Sequence, residues 1–541
     1  MWWVSWASKL LNGIMVFPMC RNSFNTDAFR FIAPFLVISA LCIGLLSCSK
    51  TFIEPGPAPP AGINDPSADL TAAEVQAVVQ KAAESVDTPV AIAVTNRQGV
   101  ILAVYNKPGT PLTSSGNFRQ QVNTNEQAVG LARTGSFFSN DQAPLSSRTV
   151  RFISGIHFPP GVMFTGNADL YGIENTNRGC PFNTTYLPGK ALPPARSIDG
   201  TQIGSGIVTG KADIFDSDPE AVLSSGVPLF KNGKVAGGIG VAGASDPINE
   251  FAAFSGVVGA GFGPKPAAPG VVIVGGLALP FVNQTTRPAG VNAGTFSAAN
   301  FVKAAIPSPG PAPDGDLIAR TAGVAGLTVA DVSKIVDGVI AVANNERAVI
   351  RLPDGARARF VIAVSDVDGR LLALNRMPDA TIFSVDVAVA KARNMIYFSS
   401  PAVNPVDMPG VPPGTAVTNR TISFGAMPLF PPGIDGSGPG PFFDLFKFDL
   451  ANPCTNGHQP PNPNQNGIVF FPGSLPLYKN GVLVGGLGVS GDGVDQDDFA
   501  TAGGGVGFEA DPAKRADQIQ IHTSIGDVRL PYLKFPRNPT F

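Results

Sequence analysis

The stretch VPLFKNGKVAGGIGVAG at residues 227–243 occurs a second time, as LPLYKNGVLVGGLGVSG at residues 475–491. In both copies an Asn-Gly pair separates two apolar runs, a pattern typical of a β-hairpin with a tight turn. Strands that are joined by hairpins are antiparallel neighbours. The duplication therefore predicts two related domains, each built around an antiparallel sheet.

The sequence that precedes each of these hairpins is duplicated as well. Both copies begin with a helix signal, in which Thr71 or Thr328 is the expected N-cap and an acidic residue completes a capping box. A shorter hairpin follows, with its turn at Gly99 or Gly369. The order of elements is therefore the same in both copies.

A second helix allows the limits of the copies to be drawn. It reads EQAVGLARTGSFFS at 126–139 and DVAVAKARNMIYFS at 386–399. We place the first domain at residues 70–288 and the second at 327–541, with a linker rich in Ala, Gly and Pro at 289–326. The expected fold class is α+β, in which helices flank each central antiparallel sheet.

The N-terminal residues predict an export signal. Residues 31–46 are largely apolar, a length that suits a signal peptide and is short for a membrane span of about 20 residues. A Leu-Leu-Ser-Cys run resembling a bacterial lipobox ends at Cys48, so we expect residues 1–47 to be removed and Cys48 to carry lipid. Residues 48–69 then form a Pro-rich tether. The alternatives are an uncleaved anchor helix and a chain that starts at Met19.

This export signal predicts a lipid-anchored protein of the cell envelope, which faces the periplasm and is attached to the outer membrane. In an oxidising compartment the two remaining cysteines, Cys180 and Cys454, are expected to form a disulfide between the domains. Two free buried thiols are the alternative. Charged residues make up 14% of the 541 residues and the formal net charge is −2, so no basic surface for nucleic acid is expected.

Three duplicated segments resemble the GlcG/HbpS-like haem-binding family, which also forms the C-terminal part of PduO-type proteins. In the second copy they are Ala-Lys-Ala-Arg at 390–393, Pro-Leu-Tyr-Lys-Asn-Gly at 476–481 and Gly-Gly-Leu-Gly-Val-Ser-Gly at 485–491. The resemblance implies a profilin-like fold in each domain, an intramolecular pseudo-dimer and haem as the cofactor. Both copies depart from short family members by insertions, at 162–225 and 434–474, which are candidate surfaces for a protein partner.

The resemblance directs attention to residues that suit haem, which needs an axial ligand and often a cation near its propionates. His157 is the candidate iron ligand, although the second copy has Leu429 at this position. A loop histidine held by hydrogen bonds is the alternative.

Arginines that occur in both copies are candidates for recognising propionates or another anion. They are Arg133 with Arg393 and Arg148 with Arg420. Structural salt bridges or contacts with loop carbonyls are the alternative.

The glycine runs of the long hairpins match G-x-G-x-x-G, and Gly238, Gly240, Gly486 and Gly488 are candidate ligand-binding positions. A dinucleotide site would require a βαβ unit, whereas these strands belong to hairpins. Glycines that let a helix or a ligand lie close to the strand fit the pattern better.

An acidic run near the end of the second copy, between Asp492 and Asp498, has the oxygen density of a calcium site. Negative charge at a helix N-terminus is the simpler interpretation.

The two copies share no histidine, no Gly-x-Ser-x-Gly elbow and no Cys-His couple, so we assign no catalytic residue. The leading hypothesis is a non-catalytic binding protein for haem or a haem-like small ligand. A degenerate scaffold whose insertions contact a protein partner is a second hypothesis, and an accessory protein of an oxidation pathway is a third.

Overall fold

The computed structural model describes residues 68–541, apart from 160–161, 166–169, 204–205, 219–220, 265–270, 275–276, 354 and 524–525. Both repeats belong to one compact unit. The expected signal peptide, the lipidation of Cys48 and the tether up to residue 67 lie outside the described residues. Within the described ranges, no helix combines the length and apolarity that crossing a membrane requires.

The first repeat alternates helices with hairpins. Its helices are α1 (Ala72–Ser85), α2 (Thr124–Phe138), α3 (Ser147–Ile153) and α4 (Asp246–Gly259). Its strands are β1 (Ala91–Asn96), β2 (Ile101–Asn106), β3 (Thr113–Ser115), β4 (Gln121–Asn123), β5 (Val227–Lys231), β6 (Lys234–Ala242), β7 (Val271–Val274) and β8 (Leu277–Pro280). Two short strands, β9 (Phe301–Lys303) and β10 (Gly315–Asp316), follow in the predicted linker.

The second repeat has the same order of elements, except that its described residues contain no counterpart of the β3–β4 hairpin and one additional helix lies in its insertion. Its helices are α5 (Val329–Ala343), α6 (Phe383–Phe398), α7 (Asn419–Gly425), α8 (Phe443–Ala451) and α9 (Val494–Gly504). Its strands are β11 (Val361–Ser365), β12 (Leu371–Arg376), β13 (Ser474–Lys479), β14 (Val482–Ser490), β15 (Gln520–Thr523) and β16 (Gly526–Arg529). Short 3-10 turns lie at Asn117–Arg119, Ile173–Asn175, Ala298–Asn300, Pro512–Lys514 and Ala516–Gln518.

Each repeat contains a five-stranded sheet with the same internal order. The first runs β5-β6-β1-β2-β9 and the second runs β13-β14-β11-β12-β10, and all the pairings are antiparallel. The antiparallel α+β fold predicted from the hairpins is thereby confirmed. The segment predicted as a linker supplies the outer strand of each sheet, since β9 pairs with β2 and β10 pairs with β12.

The local signals for helix starts and turns are also confirmed. Thr71 caps α1 and Thr328 caps α5, each in a capping box with the acidic residue three positions on. Asn480 and Gly481 both have positive φ (54° and 76°), which is the conformation that a tight hairpin turn requires. Asn232 and Gly233 repeat this geometry in the first copy.

The glycine runs let a helix lie directly on each sheet. A Cβ on Gly240 would lie 2.0 Å from the carbonyl oxygen of Ala128 in α2. A Cβ on Gly488 would lie 2.1 Å from the carbonyl oxygen of Ala388 in α6. Gly238 and Gly486 face the next turn of the same helices in the same way, at Ala132 and Ala392. Close helix–strand approach is therefore the observed role of these four glycines.

The two insertions pack against each other. Cys180 and Cys454 form a disulfide with a Cα–Cα distance of 5.5 Å, which confirms the predicted pairing. Close to this disulfide in sequence, Arg178 forms a salt bridge of 2.8 Å with Asp449 of α8. An insertion that we expected to face a protein partner thus has the other repeat's insertion as its partner.

Candidate functional site

The shared arginines Arg148 and Arg420 are tied to carboxylates of their own repeats. Arg148 makes hydrogen bonds of 2.7 and 2.8 Å to the two carboxylate oxygens of Glu250 in α4. Arg420 makes bonds of 2.5 and 2.6 Å to Asp498 and Asp495 in α9. These contacts favour the structural alternative, while anion recognition by these arginines stays a prediction.

The other shared arginines, Arg133 and Arg393, hold hairpin turns. The Nε of Arg133 donates to the carbonyl of Gly99 at 3.0 Å, and the Nε of Arg393 donates to the carbonyl of Gly369 at 2.9 Å. Burial lowers the pKa of each guanidinium to about 10, which leaves both charged at neutral pH. Arg393 also donates to the carbonyl of Phe182, so it connects the second repeat to the first insertion.

His157, the predicted iron ligand, lies at the contact between the repeats. Its Nε2 contacts the carboxylate of Asp435, and its Nδ1 lies 3.2 Å from the carbonyl oxygen of Thr165. Asp435 also accepts a hydrogen bond of 2.7 Å from the backbone of Phe164. Both ring nitrogens thus have protein partners, an arrangement that favours the alternative of a hydrogen-bonded loop histidine.

The acidic run of the second repeat is divided among separate partners. Asp495 and Asp498 bind Arg420, and Asp497 forms a buried salt bridge of 2.9 Å with Lys391. Asp492 accepts hydrogen bonds from backbone amides that precede the second sheet. Among the described residues, no three His, Cys, Asp or Glu side chains are grouped so that they could hold a metal ion.

Close to this run, Glu346 is a fully buried carboxyl whose two oxygens have no hydrogen-bond partner in the described part of the chain. Burial, followed by the charges of Asp492 and Asp497, raises its pKa to about 9 from 4.5. The folded protein therefore keeps a proton that the unfolded chain loses above pH 4.5.

Because the folded protein holds this proton, we expect its stability to fall as the pH rises. Between pH 5 and 9 the native state binds more protons at this site than the unfolded state, so the free energy of unfolding falls, by at most about 1.4 kcal/mol per pH unit. Urea unfolding of wild type and Glu346→Gln across this pH range measures the effect, because the glutamine side chain of the variant does not titrate. Glu509→Gln, at an exposed carboxyl, is the control. Parallel pH profiles for wild type and Glu346→Gln would contradict the expectation.

A pocket with a volume of about 560 Å³ lies in the second repeat. It is bounded by the C-terminal end of α6, the turn of the β13–β14 hairpin and the loop at 459–460. Buried Ile396, Tyr397 and Tyr478 line its interior, whereas exposed Val482 and Lys514 lie at its mouth. Pockets of this size and mixed lining are typical of small-molecule sites.

Tyr478 provides the unusual polar group of this pocket. Its side chain is only 6% exposed, and its hydroxyl has no hydrogen-bond partner among the described residues. Burial raises the pKa of this phenol to about 12. A buried polar group without a partner is costly, and because Tyr478 lines the pocket, its hydroxyl is a candidate for a contact that a ligand supplies.

The position of Tyr478 follows from an irregularity in its hairpin. The register of β13 against β14 shifts between Leu477 and Tyr478. The first repeat has the same shift between Leu229 and Phe230. Such irregularities re-aim side chains and are common beside binding sites. Only the second copy places a hydroxyl at this position.

The counterpart of Tyr397 in the first repeat lies beside a much smaller space. Phe137, which corresponds to Tyr397, lines a space of only about 30 Å³. Phe182 of the insertion and Ile382 and Val385 of the second repeat also line that space. The second repeat also contacts a position that corresponds to the pocket: Asn140, the counterpart of Ser400, donates to the carbonyl of Ile350 at 3.1 Å.

Fold and site together define a two-repeat α+β protein with a small-molecule pocket in its second repeat. Residues 327–504 match the model of the HbpS-like family, described as "Haem degrading protein HbpS-like". The match lies within the second repeat, which is therefore similar to the HbpS-like family.

Two solved structures are also similar to the chain. A PduOC:heme complex has 19% identity, with a TM-score of 0.23, and the match covers 34% of this chain and 94% of that one. The Klebsiella pneumoniae protein ORFY, assigned to DUF336, has 21% identity and a TM-score of 0.22, with 33% and 86% covered. No curated protein matches the chain.

Proposed function

We propose that the second repeat binds haem or a haem-like ligand in the pocket lined by Tyr478. The family description supports a haem-related ligand, and the observation that carries the proposal is the unpartnered hydroxyl of Tyr478, a residue that lines the pocket. Tyrosine is one of the side chains that hold haem iron. When bound, haem would supply redox-active iron at this position.

The remaining lining suits a porphyrin. Ile396 and Leu483 provide apolar contact for the ring, and Lys514 at the mouth provides a cation for a propionate. The role of Tyr478 would be to present a phenol oxygen to the iron, whose positive charge offsets the burial that raises the pKa of the phenol.

Removing the hydroxyl of Tyr478 tests this assignment. Tyr478→Phe is expected to weaken haemin binding by roughly tenfold to a hundredfold and to shift the Soret band, because the ring stays while the iron contact is lost. The matched control is Tyr532→Phe, which also removes a buried hydroxyl that has no partner among the described residues and does not line the pocket. Equal haemin titrations of Tyr478→Phe and wild type would rule out Tyr478 as the iron contact.

We further propose that the protein binds this ligand without transforming it and does so in the cell envelope. The apolar N-terminal run and the Leu-Leu-Ser-Cys sequence at Cys48 support the location. Cell fractionation should recover wild type with membranes and Cys48→Ser in the soluble fraction; membrane recovery of both would contradict a lipid anchor at this cysteine. Loss of the Soret band of the complex on incubation with a reductant would contradict a purely binding role.

A further inference from the structure

Tyr397, the second tyrosine of the pocket, belongs to a chain of hydrogen bonds that leads away from it. Its hydroxyl donates to Oδ2 of Asp407 at 2.6 Å. The other oxygen of Asp407 lies 2.6 Å from Nδ1 of His458. Tyr397 is 4% exposed and the Asp407 side chain is fully buried, whereas the His458 side chain is 36% exposed. The chain therefore runs from the pocket wall through a buried carboxylate to a histidine near the surface.

Several contacts hold the side chains of this hydrogen-bond chain in one arrangement. The backbone amide of His458 lies 3.1 Å from Oδ2 of Asp407, and the ring of Phe448 packs 4.0 Å from the imidazole. Gly457 has a φ of 54°, and a Cβ at this position would lie 2.7 Å from the Asp407 carboxylate. Any larger residue would push the loop off the carboxylate. Gly457 thus lets the loop approach Asp407 closely, and His458 bonds to it.

This chain of hydrogen bonds determines the direction in which the Tyr397 hydroxyl donates. A phenol carries one proton, and the Tyr397 hydroxyl donates it to Oδ2 of Asp407. The backbone amide of Asn404 donates to the same phenol oxygen at 3.2 Å. Because Tyr397 also lines the pocket, its oxygen can act only as an acceptor in a contact with a bound ligand. Phe137, the counterpart in the first repeat, has no hydroxyl to polarise.

We propose that Asp407 and His458 are positioning residues that fix Tyr397 as a hydrogen-bond acceptor toward the bound ligand. The inference rests on the proposed function, since it concerns the same pocket. It adds a specificity rule: the pocket favours a ligand that brings a donor group or an electropositive centre to Tyr397. Metal ligands are commonly oriented in this way by an outer carboxylate.

Asp407→Asn tests the rule because it removes the charge that polarises the phenol without changing the shape. An amide carbonyl accepts the phenol proton more weakly than a carboxylate does, so the Tyr397 oxygen becomes a weaker acceptor. We expect haemin to bind on the order of tenfold more weakly, with a displaced Soret band, and Tyr397→Phe to weaken binding similarly. His458→Gln should move the band in the same direction by less, because Asp407 keeps its other partners.

His522→Gln is the matched control, since His522 pairs with Asp527 at 2.7 Å but is exposed and lies outside the pocket. A merely structural defect would reduce the number of competent sites and leave the band position of the remaining complexes unchanged. If wild type binds haemin and Tyr478→Phe weakens it, while Asp407→Asn and His458→Gln leave both band and affinity unchanged, the positioning role is wrong and the proposed function stands. If wild type shows no saturable binding, both are wrong.

Discussion

Replacing Gly488 by valine is expected to destabilise the protein by more than about 3 kcal/mol, the upper range for overpacking a core. A Cβ at this position would lie 2.1 Å from the carbonyl oxygen of Ala388 and 2.6 Å from the backbone nitrogen of Ala392. Both neighbours are backbone atoms of α6, which cannot rotate away. The helix must lift off the sheet, and the contacts between α6 and β14 are lost.

Urea unfolding followed by circular dichroism measures this effect, and Gly240→Val in the first repeat should behave alike. The control is Gly438→Val, because a Cβ at Gly438 would meet no atom within 4 Å. The soluble yield of each variant provides a second readout if Gly488→Val fails to fold. If Gly488→Val has the same urea unfolding midpoint as wild type, the close approach of α6 to β14 is contradicted.

Loss of the disulfide is expected to lower the free energy of unfolding by about 2–5 kcal/mol. Cys180 and Cys454 are separated by 274 positions, and closing a long loop restricts the unfolded chain strongly. The bond also joins the two insertions. The double variant Cys180→Ser/Cys454→Ser should therefore unfold earlier than wild type in urea.

Reduction provides the control for this prediction. Dithiothreitol should lower the unfolding midpoint of wild type to that of the double variant and leave the double variant unchanged. Peptide mapping without a reductant should recover Cys180 linked to Cys454. A wild-type midpoint that does not respond to dithiothreitol, or recovery of both thiols free, would contradict the disulfide.

The antiparallel core could be predicted from the sequence because its signals are local. Capping boxes at Thr71 and Thr328 and the Asn-Gly turns depend on residues close in the chain, and both copies repeat them. The outer strands β9 and β10 were not predicted. They are very short, and only pairing with β2 and β12 makes them strands.

The candidate site was largely not predictable for a related reason. The pocket is assembled from segments as distant as Val367 and Lys514, and the partner of His157 is Asp435 in the other repeat. One sequence signal for the site did exist. Tyr397 and Tyr478 are tyrosines where the first copy has phenylalanines, a difference that marks the second copy as the one with polar groups at these positions.

The stoichiometry of haemin binding tests the central claim most directly, since the pocket of about 560 Å³ lies in the second repeat, and in the first repeat the counterpart of its residue Ser400 is bonded to the other repeat. Titration of haemin into the purified protein, followed in the Soret band, is expected to saturate at one haemin per chain. The absence of a saturable shift at micromolar haemin would contradict haem binding, and saturation at two per chain would contradict its restriction to the second repeat.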